Sequence, residues 1–272
     1  MPLLLKPVPA RRGLRWIRDA FSVFARRPLA FASLFAVFLF AALLVSLLPL
    51  IGGLLQMMAL PLLSLGFMIA TRAALEGVPF GPAQFIEPLR ADAAKRSALL
   101  KMCVIYGVAA IAILLLCDWV SDSALQRLQR LMASPDTPSA AIDELLSEPG
   151  VFWGAVIGAV LGTALSVPFW HAPALVHWGD QGVGQALFSS AVAVWRSRGA
   201  FFVYGMAWLA LIMLFGFLSA VVFGLLGARQ LAGVAALPAG LLFSTVFYVS
   251  LLFTYNDSFG GPEDEPHLRL VQ

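Results

Sequence analysis

The 272-residue chain is 60% hydrophobic and 12% charged, against roughly 25% charged for a soluble globular domain, and its mean hydropathy is +0.88. Water is therefore not its main solvent, and no stretch outside the apolar runs is long enough to form a separate soluble core. The net charge of +3 does not mark a nucleic-acid binder, because the basic residues flank apolar segments and read as membrane-orienting charges.

The N-terminal segment, residues 1–28, contains one strongly periodic stretch at 11–26. At 100° per residue Arg11, Arg12, Arg15, Arg18, Asp19, Ser22 and Arg26 share one arc of about 120°, while Leu14, Trp16, Ile17, Ala20, Phe21, Val23 and Phe24 fill the other side. This is an amphipathic helix of the kind that lies in the headgroup plane and is drawn to anionic lipid. It reads either as an anchor leading into the first span or as a sensor of anionic lipid or a partner. The apolar run behind it is roughly 20 residues long, beyond the about 7–15 of a secretory signal, so it is read as an uncleaved span.

A membrane-crossing helix needs about 20 apolar residues, and lipid offers its backbone no partners, which forces such runs to be helical. Six runs qualify: 29–48 behind Pro28, 51–70, 99–117, 151–171, 200–226 and 231–253. The expected fold is all-α, a polytopic bundle of six transmembrane helices over residues 29–255, with a tail at 256–272. Cys103 and Cys117 fall fourteen residues apart on the third run, about 21 Å along a helix, too far for a disulfide with each other.

Fifteen of the eighteen Lys and Arg residues lie in the N-terminal segment, the loop after the second run, the Arg196/Arg198 stretch and the tail at Arg269; only Arg127, Arg130 and Arg229 lie opposite. The positive-inside rule then predicts cytoplasmic N and C termini. The 118–150 loop becomes the one substantial outer feature and carries Asp118, Asp122, Asp136, Asp143, Glu144 and Glu148. Leu125, Leu128, Leu131 and Met132 recur there at helical spacing before the 134–138 run breaks it, predicting a short helix, a turn and a further helical turn. No convergent polar set is evident in it, so a surface helix over the bundle is preferred to a binding flap.

Prolines interrupt two runs: Pro61, followed by Ser64 and Gly66, in the second, and Pro168 and Pro173 on either side of His171 in the fourth. Each removes a backbone donor and disturbs the ladder. Such interruptions are either kinks satisfied by packing or, when paired in corresponding helices, markers of a binding site. Gly154, Gly158 and Gly162 stand four apart in the fourth run and offer a face for close helix approach, within the chain or between copies in a homo-oligomer.

Chemistry is poorly supplied. The span interiors lack Asp, Glu, Lys and Arg apart from edge residues such as Lys101, whereas enzymes and ion-coupled transporters keep ionisable groups there. His171 and His177, six apart, do not share a helix face for a metal, and His177 beside Asp180 reads as an interfacial histidine near a loop carboxylate. The expectation is no cofactor, no metal and no enzymatic activity.

A basic pair precedes the first, third and fifth runs: Arg26-Arg27, Lys95-Arg96 and Arg196-Ser197-Arg198. The chain can thus be read as three repeated helix-hairpin units, though positive-inside charge alone would produce the same spacing.

The stretch Phe169-Trp170-His171-Ala172-Pro173-Ala174-Leu175-Val176, continuing through Gln185-Ala186-Leu187, Ser189-Ser190, Trp195 to Gly199, Phe201 and Tyr204-Gly205, resembles an uncharacterised proteobacterial family of six-helix inner-membrane proteins. Trp16, Phe21 and Arg27-Pro28 fit the same pattern. A looser likeness extends to the membrane domain that precedes some bacterial glycerophosphodiester phosphodiesterases, whose soluble catalytic domain has no counterpart in this sequence. The resemblance implies a multi-pass protein of the bacterial inner membrane and supplies no catalytic residues. The preferred reading of function is a non-enzymatic envelope scaffold that binds a partner. The alternative is a transporter or lipid-handling protein using the kinked spans, with Pro61, Pro168, His171, Pro173 and His177 as the residues to inspect.

Overall fold

The structure, a computed structural model, describes residues 5–49, 51–90, 92–133, 139–227 and 230–260. Every regular element among the described residues is helical: α1 (Arg12–Arg26), α2 (Pro28–Ser46), α3 (Gly52–Leu75), α4 (Ala93–Val120), α5 (Ala124–Ala133), α6 (Ser139–Leu146), α7 (Pro149–Phe169), α8 (Ala172–Gly179), α9 (Val183–Arg196), α10 (Arg198–Leu225) and α11 (Gln230–Phe259), with 3-10 turns at Pro82–Phe85 and Glu87–Arg90. Six segments are long and apolar enough to cross a membrane: α2, α3, α4, Pro149–Gly179, α10 and α11 from Gly233. The expected six-span all-α fold is the observed one.

Three helices clearly overrun their apolar runs: α3, which continues to Leu75, α4 and α11. α4 starts at Ala93, where the Asp92 carboxylate accepts the Lys95 backbone N–H at 2.8 Å and caps the first turn. α11 continues through Asn256 and Asp257 to Phe259. The Lys6 backbone N–H donates to the Ser258 carbonyl at 3.0 Å, and Arg12 pairs with Asp257. The N-terminal segment and the end of α11 therefore meet at one end of the bundle, here the terminal end; α5 and α6 lie on the α4–α7 connection, at the loop end.

Two adjoining apolar clusters form the core. One joins Leu65, Met68, Leu99, Met102, Leu175 and Leu252; the other joins Trp16, Phe31, Leu34, Leu63, Phe67 and Val246. Toward the loop end α10 is exposed along Ile212, Met213, Phe217, Leu218 and Leu225, which suits lipid as the neighbour. The Gln56 side-chain amide in α3 donates to the Ala42 carbonyl at 2.8 Å and ties the α2–α3 hairpin. Helices α1 and α9 head the first and third hairpins while 3-10 turns precede the second, so the three units differ in what leads into them.

The α4–α7 connection has the expected two short helices, α5 and α6; the 134–138 break, with Asp136, lies outside the described residues, as do Arg229 and the 261–272 tail with Arg269. Leu125, Leu128 and Leu131 pack on a small core of Ala124, Leu145 and Val151. Contrary to the expectation that nothing polar converges there, Arg127, Arg130, Glu144 and Glu148 line a cleft of about 340 Å³, and Arg127 pairs with Glu148 at 2.7 Å. These residues are far apart in sequence, so their meeting depends on α5 folding back on α7.

Candidate functional site

The fourth span is broken. α7 ends at Phe169 and α8 begins at Ala172; Pro168 is held inside the last turn of α7, and Pro173, in the first turn of α8, cannot donate to the Phe169 carbonyl four residues earlier. At the break the His171 backbone N–H donates to Ser190 Oγ at 3.0 Å, and Ser190 Oγ donates to the Val167 carbonyl at 3.1 Å. A hydroxyl from α9 thus stands in for the His171-to-Val167 ladder bond. Pro173 lies in the first turn of α8, where a missing N–H leaves no gap within that helix.

The His171 side chain is fully buried and packs edge-on to Phe259 and Phe201. Its Nε2 lies 3.2 Å from Thr254 Oγ1. The Thr254 hydroxyl donates its single proton to the Leu251 carbonyl at 2.8 Å and accepts from Trp170 Nε1 at 3.1 Å. His171 Nε2 is therefore the donor, and Nδ1 is an acceptor with no hydrogen-bond partner among the described residues. The hub Trp170–Thr254–His171 stitches the break to α11.

His177 and Asp180 do not form the pair their spacing allows. Lys95 Nζ meets Asp180 Oδ1 at 2.5 Å and the His177 carbonyl at 3.1 Å, and its hydrogen bond holds the Asp180 carboxyl below the usual carboxylate range. Lys95 thereby neutralises the C-terminal end of α8, where a cation is favoured.

On the far side of Trp170, α10 stands off from α7 and leaves a cavity of about 770 Å³, within the roughly 300–1,000 Å³ typical of small-molecule sites. Its walls are mainly aromatic: Trp170, Phe201, Tyr204, Trp208, Phe243 and Phe247. It is open to the side along exposed Phe202 and Ile212. Arg198, exposed at the terminal-end mouth, is the only formally charged residue in the described lining, and its guanidinium sits 5.5 Å over the Trp195 ring. A second chamber of about 120 Å³ adjoins it, lined in part by Pro61, Ser64, Tyr106 and Phe169. The two share Ser166, Trp170, Phe247 and Tyr248, so the proline of α3 and the residues beside Pro168 do meet around one interior space.

Helix α1 backs this site and is not simply a lipid-surface helix. Trp16, Ala20 and Val23 are buried against α10 and α11. Trp16 packs on Phe201 and Tyr204 at 5.2 and 5.8 Å, and Trp170 packs on the same two rings from the other side at 5.5 and 6.0 Å. Asp257 Oδ2 accepts Trp16 Nε1 and Arg12 Nε, both at 2.7 Å, while Oδ1 accepts Arg12 Nη2 at 2.6 Å. The bond to Asp257 raises the already high pKa of Arg12, and burial raises that of Asp19. Arg11, Arg15, Arg18 and Arg26 remain exposed, so Arg12 alone of that basic face turns inward.

The glycine face of α7 packs within the chain over only part of its length. A methyl group on Gly154 would lie 2.8 Å from Leu125 and 2.9 Å from Ser121; on Gly158 it would lie 3.3 Å from Cys117 Sγ, and on Gly162 it would meet nothing within 4 Å. α7 and α4 thus diverge from the loop end toward the middle of the bundle.

No family model and no solved structure matches the chain. It is 34% identical over 257 residues, 94% of both chains, to a protein of Burkholderia thailandensis described as a "probable inner membrane protein". With its six apolar spans, the chain belongs to the family of that proteobacterial protein, a family of multi-pass inner-membrane proteins.

Proposed function

We propose that the protein is a non-enzymatic, lipid-handling protein of the inner membrane, which takes an apolar chain from the bilayer into the cavity between α7, α9, α10 and α11. The observation that carries this reading is the cavity itself: about 770 Å³, aromatic-walled and open sideways. Of the readings left open by the sequence, lipid handling at the kinked spans gains the most support, since Trp170 beside the α7–α8 break is a shared wall of both chambers. The termini are proposed to be cytoplasmic on the distribution of Lys and Arg. That orientation puts the mouth at Arg198 in the cytoplasmic leaflet.

Gly205 supplies the test. It lines the cavity, and a methyl group there would meet nothing within 4 Å, so Gly205→Leu is expected to extend into the space with little disturbance of the helix packing. Lipid that stays with the detergent-purified protein, measured by native mass spectrometry, is expected to fall several-fold in this variant at unchanged melting temperature. Equal lipid retention would overturn the reading.

The exposed row Arg11, Arg15, Arg18 and Arg26 favours a second reading, an envelope scaffold that docks an acidic partner. Replacing the four with Gln would then abolish co-purification of that partner while leaving the lipid content of the protein unchanged.

A further inference from the structure

We infer that the occupant of the cavity is an anionic phospholipid of the leaflet at the terminal end, its phosphate held at Arg198 and its acyl chain running along α10; this rests on the lipid-handling reading. Charge complementarity fixes the class. The described lining has one formal charge, positive, and it stands at one end of an otherwise apolar space. Arg198 has no carboxylate partner among the described residues; its recorded neighbour is the Trp195 ring, 5.5 Å away. An arginine so placed presents a planar fork of donors suited to a phosphate, while the exposed Trp195 is of the amphipathic type found at the membrane interface. Arg196, next to it and also exposed, adds to the positive field.

Depth fixes the leaflet. From Arg198 to Ile212, the last α10 residue in the lining, is fourteen residues, or about 21 Å of helix. Half of a bilayer about 40–45 Å thick with its headgroup regions included is about 20–22 Å. The cavity therefore runs from headgroup level to about the bilayer midplane and no farther, which is the reach of a lipid in one leaflet. A membrane-crossing path would need a second polar mouth, and the described lining beyond Ser244 and Thr163 offers none.

Delipidated protein would be titrated with phosphatidylglycerol and with phosphatidylcholine, and retention read by native mass spectrometry for wild type, Arg198→Gln and Gly205→Leu. Wild type is expected to hold phosphatidylglycerol several-fold more strongly, Arg198→Gln to lose that preference while still holding both lipids, and Gly205→Leu to hold little of either. A wild type without preference, or a preference that survives Arg198→Gln, overturns the anionic assignment while leaving lipid handling in place. Undiminished binding of both lipids by Gly205→Leu overturns lipid handling itself.

Discussion

Ser190 Oγ occupies the place of a missing helix bond, 3.0 Å from the His171 backbone N–H and 3.1 Å from the Val167 carbonyl. Ser190 is fully buried, so water has little access to either group if the hydroxyl is removed. An unsatisfied buried group costs about 1–3 kcal/mol, whereas an ordinary interhelical side-chain bond in a membrane protein averages about 0.6. Two backbone groups lose their partner together in Ser190→Ala, so the loss is expected near 2 kcal/mol. Thermal unfolding in detergent measures it; a melting temperature within error of wild type would mean that α7 and α8 close their own ladder.

His171 gives a second test of the same break. Its Nε2 proton is spoken for by Thr254, and its Nδ1 has no partner among the described residues, so only half of the imidazole's polarity is in use there. Gln can place one donor near Thr254, and Leu cannot. His171→Leu is expected to be the more destabilising, by about 1–2 kcal/mol relative to His171→Gln, because it leaves the Thr254 hydroxyl one donor short in a buried site. Equal stability of the two variants would show that the ring matters for volume alone.

The glycine series on α7 is expected to be graded. A Cβ on Gly154 would press into Leu125 and Ser121, one on Gly158 would meet only the Cys117 sulfur, and one on Gly162 would meet nothing within 4 Å. Overpacking costs about 1–3 kcal/mol, so the melting temperature in detergent should fall most at Gly154, less at Gly158 and little at Gly162. If Gly162→Leu left the fold intact but abolished crosslinked dimers, that open part of the face would be an interface between copies.

The six spans are legible in the sequence because each is a run of about 20 apolar residues, and lipid leaves such a run one backbone solution. Their ends are less so. Nothing local keeps α11 helical through Asp257, whose charge is met by Arg12 and Trp16 more than 240 residues earlier. The break beside Pro168 was readable, but its repair by Ser190 was not, since any Ser on α9 has the same local signature. The cavity was invisible for a different reason: Phe201, Trp208, Phe243 and Phe247 at helical spacing look the same whether they face a packed neighbour or a gap. Arg198 read as one more orienting charge for that reason.

Topology can be checked directly. Cysteines placed one at a time in the α5–α6 region of a variant lacking Cys103 and Cys117, both of which are buried, are expected to react with an impermeant maleimide added to whole spheroplasts. A cysteine near Arg90 is expected to react only after lysis. The reverse pattern would invert the proposed orientation and move the Arg198 mouth to the outer leaflet.

The last expectation concerns the strap formed by α1. Arg12 and Asp257 are 30% and 20% exposed and joined by two short bonds, with Trp16 Nε1 on the same carboxylate. Exposure at this level excludes the full cost of breaking a deeply buried pair, about 3–5 kcal/mol, and a coupling on the order of 1–2 kcal/mol is expected for hydrogen bonds to a charged group with partial solvent access. A double-mutant cycle over Arg12→Ala and Asp257→Ala measures it without counting the packing each variant loses. The consequence extends past stability. Trp16 supports Phe201 and Tyr204 from behind, and those rings wall the cavity. Releasing α1 should therefore loosen that wall as well, seen as faster hydrogen exchange along the first turns of α10 in Asp257→Ala. Gly13 keeps this coupling tight, since a methyl group there would collide with the Ala200 carbonyl oxygen. Exchange that rises in α1 alone, with α10 as protected as in wild type, would show that the strap and the cavity are independent.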